Sequence, residues 1–304
     1  MTFIYEVYKS ILFNLYLKTN LYKLIMNQKL IYSGKVRNIY KHQDCDKLII
    51  ETTDRLSSFD RYICDLKDKG LILNLISVFM FNQTKHIIRN HYISHHENQI
   101  IVKKCEPFKI EVVVRAYITG NTTTSLWTHY NNGIRNYCGI DFPDNLKKNQ
   151  KLQNIVITPT TKDKEDIPIS KEDIIKKNYM TKEECDYIYT KSLELFKFGQ
   201  SIADKAGFIL VDTKYEFGKD YDNNIILIDE LHTCDSSRYW IKKTYDVRFK
   251  NNLEPEKLDK DKIRDYVKSK CDPYSDSIPE IPNYLKNDTI NTYKHFYINI
   301  TNTN

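Results

Sequence analysis

The segment Ile110–Tyr117 has the two-residue period of a β-strand and places two charges on one of its faces. A strand points successive side chains to opposite faces of its sheet, so Glu111 and Arg115 share a face with Val113. Burial of a lone charge is costly, so this face must meet a partner, a ligand or water. A sheet with one such face is therefore the first constraint on the fold.

The bulk properties indicate a soluble globular protein. With 304 residues, 41% apolar and 28% charged, the chain can bury a full core as one large domain or as two lobes sharing a cleft. The net charge of +6 is spread out, with no block of like charges typical of nucleic-acid-binding arms. A mildly basic surface is the simplest interpretation, and an anionic substrate is the alternative.

The cysteines and the N-terminal segment indicate the cellular location of the protein. The seven cysteines form no C-x-x-C pair, and an odd number would leave one unpaired, which predicts reduced thiols in a cytoplasmic protein. Residues 1–28 are apolar but interrupted by charges, so they form neither a membrane span nor a clear signal peptide. We expect an amphipathic helix or a non-native extension before Met26, and residues 1–25 to be dispensable.

Short alternating segments predict a mostly antiparallel sheet in the N-terminal part. The predicted strands are Lys35–Tyr40, Leu48–Thr53 and Ile101–Cys105. A helix is predicted over Leu71–Arg89, with one stripe of neighbouring side chains. The members of that stripe are Leu71, Leu75, Val78, Phe79 and Asn82.

The clearest helix is predicted over Thr181–Gly207. Thr181 and Glu184 have the spacing of a capping box, and Gly207 supplies the stop signal. The apolar positions at helical spacing are Ile188, Leu195, Phe196 and Ile202. This segment is interpreted as structural.

A hairpin with an acidic face is predicted next. Its strands are Phe208–Gly218 and Ile225–Glu230, joined by the turn 219–224. Asp212, Lys214 and Glu216 share one face of the first strand. A symmetric loop would place Asp229 opposite Lys214 and diagonal to both carboxylates.

Two interpretations of this face remain open on pattern alone. Glu216 and Asp229 suit Mg²⁺–ATP, because Mg²⁺ prefers one or two carboxylates with phosphate oxygens and water. A surface ladder of acid–lysine pairs that contributes little to stability is equally compatible.

The run Ser33–Arg37 places Gly34 before two basic residues, Lys35 and Arg37, at a strand start. Such a turn could cover a polyphosphate with backbone N–H groups and cations, but it is not a Walker A loop. On this evidence alone, a plain turn before an amphipathic strand is favoured.

Seven motifs in chain order resemble the successive motifs of one family. They are GKVRNIY (34–40), TDRLSSFD (53–60), KG (69–70), KIEVVVRAYITG (109–120), TPTTK (158–162), LVDTKYEFG (210–218) and DELHTCDSSRYW (229–240). The family is that of the phosphoribosylaminoimidazole-succinocarboxamide synthases, or SAICAR synthetases. The similarity runs from about Leu30 to about Asn299 and includes DKDKIRDY (259–266).

The resemblance implies a two-lobed α/β (α+β) fold. A small antiparallel-sheet lobe that clamps nucleotide is expected over residues 29–116. A larger ATP-grasp-like lobe for substrate and metal is expected over residues 117–304, and residues 1–28 form an N-terminal extension.

The resemblance also implies an activity. The expected enzyme is an ATP- and Mg²⁺-dependent ligase that condenses carboxyaminoimidazole ribotide with L-aspartate, giving SAICAR, ADP and phosphate in de novo purine biosynthesis. ATP is expected to activate the ribotide carboxylate before the amine of aspartate attacks. We expect these small molecules as partners, no nucleic acid or membrane, and a monomer or small homo-oligomer.

Site residues follow from the positions that match the family motifs. The expected nucleotide-binding residues are Gly34, Lys35, Arg37, Glu111 and Lys162. The expected substrate-binding residues are Arg115, Asn121, Asp212, Ser237 and Arg238. Arg115 and Asp212 are also expected to act in catalysis, Glu216 and Asp229 to bind metal, and Lys214 to screen the charge of the acyl phosphate.

Several positions depart from the family pattern. Asn121 replaces the usual Ser, and Cys234 and Lys67 stand at positions where Pro is common. The loop at 160–166 is shorter than usual and has Glu165 in place of a His. These changes permit an alternative, a degenerate nucleotide-binding relative with a regulatory role. The chain is not predicted to be a kinase, because its sequence contains no H-R-D-x-x-x-x-N loop. It is not predicted to bind RNA, because its sequence contains no cluster of basic and aromatic residues.

Overall fold

The computed structural model describes residues 29–122, 125–162 and 166–303. Expectations for residues 1–28 and for positions 163–165 of the 160–166 loop lie outside this part. Its strands are β1 (Leu30–Ser33), β2 (Arg37–Lys41), β3 (Lys47–Thr52), β4 (Arg55–Ser58), β5 (Arg61–Asp65), β6 (Tyr92–His96), β7 (Gln99–Lys103), β8 (Glu106–Ile118), β9 (Asn136–Tyr137), β10 (Ile140–Asp141), β11 (Gln150–Ile157), β12 (Thr160–Thr161), β13 (Phe208–Lys219), β14 (Ile225–Ile228) and β15 (Ser237–Ile241).

The helices in the same ranges alternate with these strands. They are α1 (Lys69–Gln83), α2 (Leu126–Asn131), α3 (Lys171–Lys176), α4 (Lys182–Lys205), α5 (Lys242–Lys250), α6 (Asp261–Lys270) and α7 (Asn283–Thr301). The predicted mixed α/β class with antiparallel sheets is therefore confirmed.

The N-terminal sheet is antiparallel with strand order β1-β2-β3-β7-β6. The three strands predicted here correspond to β2, β3 and β7, each within two residues at either end. β6 and the β4–β5 hairpin were not predicted. The hairpin turns through Phe59 and Asp60, both with positive φ, a conformation typical of tight two-residue turns.

The second sheet has the order β11-β8-β13-β14, with β12 paired to β8 and β15 paired to β13. β8 begins at Glu106 and runs unbroken to Ile118, so the predicted domain boundary at residue 116 falls inside this strand. The change between sheets occurs at residues 104 and 105. Val112 and Val114 on the apolar face of β8 are completely buried.

Helix α4 packs against β13 and β8. Its predicted capping box is confirmed, because the Thr181 side chain accepts from the Glu184 N–H and Glu184 accepts from the Thr181 N–H. Gly207 ends the segment with φ of 80°, as predicted. All four predicted apolar positions are buried.

Helix α1 differs from its prediction. It ends at Gln83, and two members of the predicted stripe, Leu71 and Asn82, are exposed. The helix is covered on more than one side, because it contacts α7 as well as β3, β6 and β7. A helix that is buried on several faces has no single apolar stripe to detect.

The largest hydrophobic cluster among the described residues packs helices against the second sheet, and a smaller one of Val78, Ile100 and Val102 lies at the N-terminal sheet. The members of the large cluster come from several elements. They include Phe81 of α1, Val112 of β8, Leu210 of β13 and Phe296 of α7. No helix in the ranges described is long and apolar enough to cross a membrane.

Candidate active site

An alternating array of acids and lysines covers one face of β8 and β13. The strand register places Glu111 opposite Glu216, and Lys214 lies two residues before Glu216 on the same face. Lys214 Nζ donates to Glu111 Oε1 at 2.9 Å and to Glu216 Oε1 at 2.8 Å. Lys162, which follows β12, pairs with Glu216 and lies 3.8 Å from Glu111. The predicted sharing of a face by Lys214 and Glu216 is confirmed.

The array has a strong effect on the pKa values of its members. Burial alone would raise the pKa of Glu216, but Lys214 and Lys162 hold it well below its usual range. Burial would lower the pKa of Lys214, and the two glutamates raise it instead. For Glu111, burial outweighs the nearby lysines and raises the pKa. Lys214 is therefore a permanent cation at neutral pH.

Two arginines converge on Asp212 further along the same face. Arg238 Nη1 lies 2.7 Å and Arg115 Nη1 3.3 Å from Asp212 Oδ2. Both arginines are cross-strand neighbours of Asp212, one on β15 and one on β8. Arg115 Nε also donates to Thr158 Oγ1 at 2.8 Å, whereas Arg238 Nε is buried without a hydrogen-bond partner among the described residues.

A cavity of about 240 Å³ opens between these groups. Its charged lining residues are Arg115, Lys214, Arg238, Lys260, Arg264, Asp235 and Asp259. Ser237 lies in its wall, where its hydroxyl is hydrogen-bonded to Thr213 Oγ1 at 2.7 Å. With five cations against two acids, the cavity is suited to an anionic ligand, since guanidinium groups bind phosphate and carboxylate through paired hydrogen bonds.

The predicted phosphate loop contacts the segment after β14 through Arg37 and does not line the cavity. Gly34 N–H donates to the Arg37 carbonyl at 2.7 Å and closes the turn. The Arg37 guanidinium pairs with Asp229 and, at 2.7 Å, with Glu230. Lys35 pairs instead with the exposed Asp60, so the structure does not bring Lys35 to the cavity.

Asp229 does not have the predicted register. Glu216 pairs with Ile228, and β14 ends there, so Asp229 is not opposite Lys214. The loop contains five residues, 220–224, rather than a symmetric six, and Asp229 itself has φ of 68°. Its side chain therefore contacts Arg37 of the N-terminal sheet.

Glu216 and Asp229 nevertheless lie in the same neighbourhood. Glu216 pairs across the hairpin with Ile228, the residue that precedes Asp229. In the parts of the chain that the structure describes, no three His, Cys, Asp or Glu side chains form a metal cage. Two carboxylates with phosphate oxygens would suit Mg²⁺, which has a preference for such mixed ligand sets.

Asn121 lies on the turn that leads from β8 into the cavity wall. Gly120 has φ of 101°, and a side chain there would clash with Ser125. Lys268 Nζ donates to the Asn121 carbonyl at 2.7 Å, while Asn121 Oδ1 is buried without a partner among the described residues. The Asn121 amide oxygen is thus free to accept a hydrogen bond, but the next residue on this turn, Thr122, lines the cavity and Asn121 does not.

Several cavity residues were not predicted individually. Asp259, Lys260 and Arg264 come from the motif 259–266, which was recognised without assigning roles. Asp235 belongs to another recognised motif and pairs at 2.7 Å with Lys69, a completely buried lysine at the start of α1. The only sequence signal for these residues was their place in family motifs.

A mixed α/β fold with a cationic cavity beside an acid–lysine array defines an enzyme for phosphorylated or carboxylated substrates. The family model for SAICAR synthetase matches residues 30–281. The chain belongs to the SAICAR synthetase family.

Curated relatives and solved structures agree with this assignment. Phosphoribosylaminoimidazole-succinocarboxamide synthase of Arabidopsis thaliana, described as chloroplastic, is 48% identical over 96% of this chain and 72% of its own length. The Legionella pneumophila (strain Paris) synthase is 48% identical over 89% of this chain and 87% of its own length.

Two solved structures show the same fold with ligands. SAICAR synthase of Saccharomyces cerevisiae, complexed with SAICAR, matches with a TM-score of 0.76 and 26% identity over 90% of this chain and 95% of that chain. A SAICAR synthetase in complex with ADP matches with a TM-score of 0.67 and 27% identity over 89% of this chain and 97% of that chain. The predicted family and ligase activity are confirmed, and nucleotide use is supported.

Proposed function

We propose that the cavity beside the Lys214 array is the place where this ligase binds carboxyaminoimidazole ribotide and joins its carboxylate to L-aspartate. The observation that carries this proposal is the convergence of Arg115, Arg238 and Lys214 on one small cavity. Arg115 and Arg238 hold the ribotide through its phosphate or carboxylate, and Asp212 orients both guanidinium groups. Asn121 and Ser237 supply neutral polar contacts at the edge.

The nucleotide lies, in this proposal, between the N-terminal sheet and the acid–lysine array. Gly34, Lys35 and Arg37 cover its phosphates, and Lys162 and Glu111 face them from the second sheet. Glu216 and Asp229 would hold Mg²⁺, which supplies charge neutralisation on the phosphate oxygens. Lys214 lies between Glu111 and Glu216 and would screen the negative charge of the acyl phosphate.

Most of the catalysis then comes from positioning and charge neutralisation. Two lobes, divided near residues 104 and 105, would enclose the reactants. The seven cysteines are all free, which supports a reducing compartment such as the cytoplasm, and a monomer or small homo-oligomer remains our proposal. The regulatory alternative is not favoured, because the matched arginines and acids are retained.

The proposal is tested by assaying the protein with Mg²⁺, ATP, ribotide and aspartate for product mass and ADP. Arg238→Lys should raise the KM for ribotide by about tenfold or more and leave that for ATP within about twofold, because lysine cannot reproduce bidentate binding. Arg248→Lys, at a half-buried site on α5 outside the cavity, is the control. A change confined to the KM for ATP would contradict the placement of the ribotide.

A further inference from the structure

Two adjacent acids at the start of α6 have very different partners. Asp261 Oδ1 accepts from Arg264 Nη1 at 2.8 Å, and its Oδ2 lies 3.2 Å from Lys257 Nζ. Asp259 Oδ1 accepts only the Asp261 backbone N–H, at 2.8 Å. Asp259 Oδ2 is buried and has no hydrogen-bond partner in the part of the chain that the structure describes.

Asp259 is placed where a substrate would meet it. It is 4% exposed and lines the cavity together with Arg115, Lys214 and Arg238. Arg238 Nε and Asp235 Oδ2 are the other buried polar atoms of that lining without a hydrogen bond among the described residues, and Asp235 Oδ2 is ion-paired with Lys69 at 2.7 Å. Asp259 Oδ2 is therefore the one acceptor of these atoms that lacks both a hydrogen bond and an ion pair, and Arg238 Nε is the open donor. An open carboxylate oxygen among five cations is poorly suited to an anion and well suited to an ammonium group.

The reaction has an ammonium group that must change its charge. Free aspartate carries a protonated amine at neutral pH, and a protonated amine has no lone pair with which to attack an acyl phosphate. A proton acceptor is needed before the carbon–nitrogen bond forms. General bases of this kind act within hydrogen-bond reach of the proton that they remove.

We propose that Asp259 is a further catalytic residue of this enzyme, whose Oδ2 binds the α-ammonium group of aspartate and accepts one proton from it. This inference rests on the proposed function. One N–H bond breaks, an O–H bond forms at Asp259, and the electron pair stays on nitrogen. The amine then bonds to the acyl carbon, and the carbon–oxygen bond to phosphate breaks, with its electron pair leaving on phosphate. The second amine proton leaves to phosphate or water.

The electrostatic surroundings support this role. Burial and the neighbouring Asp261 charge raise the pKa of Asp259 to about 7, although Arg238 and Arg264 oppose the rise. Lys257, Cys234 and Tyr293 also face this carboxylate. Asp261, which has two cationic partners, keeps a lowered pKa. Two neighbouring carboxylates with separated pKa values are typical of acid–base sites.

The first test compares two nucleophiles in Asp259→Asn. The variant should lose about 100-fold or more in kcat/KM for aspartate, the usual contribution of a general base. Hydroxylamine is largely unprotonated at neutral pH and needs no base. The variant should therefore form the ribotide hydroxamate, with ADP, at a rate within about threefold of wild type. Asp288→Asn, on the exposed side of α7, is the control.

The second test is the pH dependence of kcat/KM for aspartate. Wild type should show an acidic limb with an apparent pKa near 7, because only the ionised carboxylate accepts a proton. Asp261→Asn removes the neighbouring negative charge, so this acidic limb should move to lower pH. The measurement does not require Asp259→Asn, so it tests the inference even if that variant folds poorly.

Three results would overturn the inference. They are an Asp259→Asn enzyme with aspartate kinetics close to wild type, a folded variant that loses the hydroxylamine and aspartate reactions equally, and a limb unmoved by Asp261→Asn. A wild-type protein that makes neither product nor hydroxamate would instead contradict the proposed function.

Discussion

At the residue scale, the acids of the array behave differently from what the sequence suggests. Acids that face each other from adjacent strands repel unless a cation or a lysine lies between them. The structure gives Glu216 two lysine partners and gives Asp229 an arginine. These acids are therefore neutralised by the protein itself, and Mg²⁺ would have to compete with Lys162 for the Glu216 carboxylate.

Glu216→Gln tests the importance of this carboxylate. We expect kcat to fall by about 100-fold or more, a barrier increase of about 2.7 kcal/mol, because the phosphates lose a hard oxygen ligand and Lys162 loses its partner. The melting temperature without nucleotide should stay level or fall, because the loss of the ion pairs with Lys162 and Lys214 offsets the relief of repulsion with Glu111. The extra stabilisation by Mg²⁺–ATP should shrink.

The control for Glu216→Gln is Glu106→Gln, an exposed position on β8. Turnover and thermal shifts with and without Mg²⁺–ATP are measured side by side. Full activity together with a full nucleotide-dependent shift would remove Glu216 from the site.

A second prediction at this scale concerns the buried histidines. Burial, aided by Arg37, lowers the pKa of His91 from its ordinary value of 6.5 to about 3. Below pH 6.5 the unfolded chain binds a proton at this position that the folded chain refuses. The free energy of unfolding should therefore decrease as pH falls from 6.5 toward 3, by about 1 kcal/mol per pH unit for this residue.

Unfolding measured between pH 5 and pH 7.5 tests this linkage. His91→Gln should flatten the pH dependence, whatever it does to stability at neutral pH. The exposed His86→Gln is the control. A slope unchanged by His91→Gln would show that this imidazole takes up its proton in the folded state.

At the element scale, the contact between α4 and the loop after β14 gives a prediction with an unusual sign. Ala in place of Gly inside a helix is normally stabilising by about 0.5–1 kcal/mol. At Gly199, however, a Cβ would lie 2.7 Å from Nδ1 of the buried His232 ring. Gly199→Ala should therefore destabilise the protein, by about 1–3 kcal/mol for overpacking.

The cause can be isolated by a double substitution. In a His232→Ala background, Gly199→Ala should become neutral or stabilising, because the clashing ring is gone. Gly133→Ala isolates a different cost, since no atom lies within 4 Å of its Cβ position but its φ of 86° disfavours any side chain. Denaturant unfolding of these variants would contradict the account if Gly199→Ala stabilised the protein in both backgrounds.

Some elements could be predicted from sequence and others could not, for local reasons. Helix α4 has one apolar stripe and a capping box, and both are local signals. Helix α1 has no such stripe, because neighbours cover it on several sides. The hairpin strands were predictable from the alternation of side chains along each strand. The register of Asp229 was not, because the loop has one residue fewer than predicted and this shifts every facing pair.

At the scale of the whole molecule, most residues that line the candidate cavity lie in the family motifs, and spacing alone did not bring them together. The cavity collects residues from β8, β13, β15, the 229–236 segment and the start of α6. Contacts between positions such as Arg115 and Asp212 are made across nearly a hundred residues of chain. Composition and periodicity carry no information about such contacts, so Asp259 and Arg264 could be placed only once the fold was known.

Transfer of oxygen-18 from labelled ribotide carboxylate tests the central claim most directly. If the chain activates that carboxylate by phosphoryl transfer and then forms the amide, each product molecule is accompanied by ADP and by phosphate carrying one labelled oxygen. Mass spectrometry of the released phosphate gives the result. Product accompanied by unlabelled phosphate, or ADP formation that does not require the ribotide, would contradict the account.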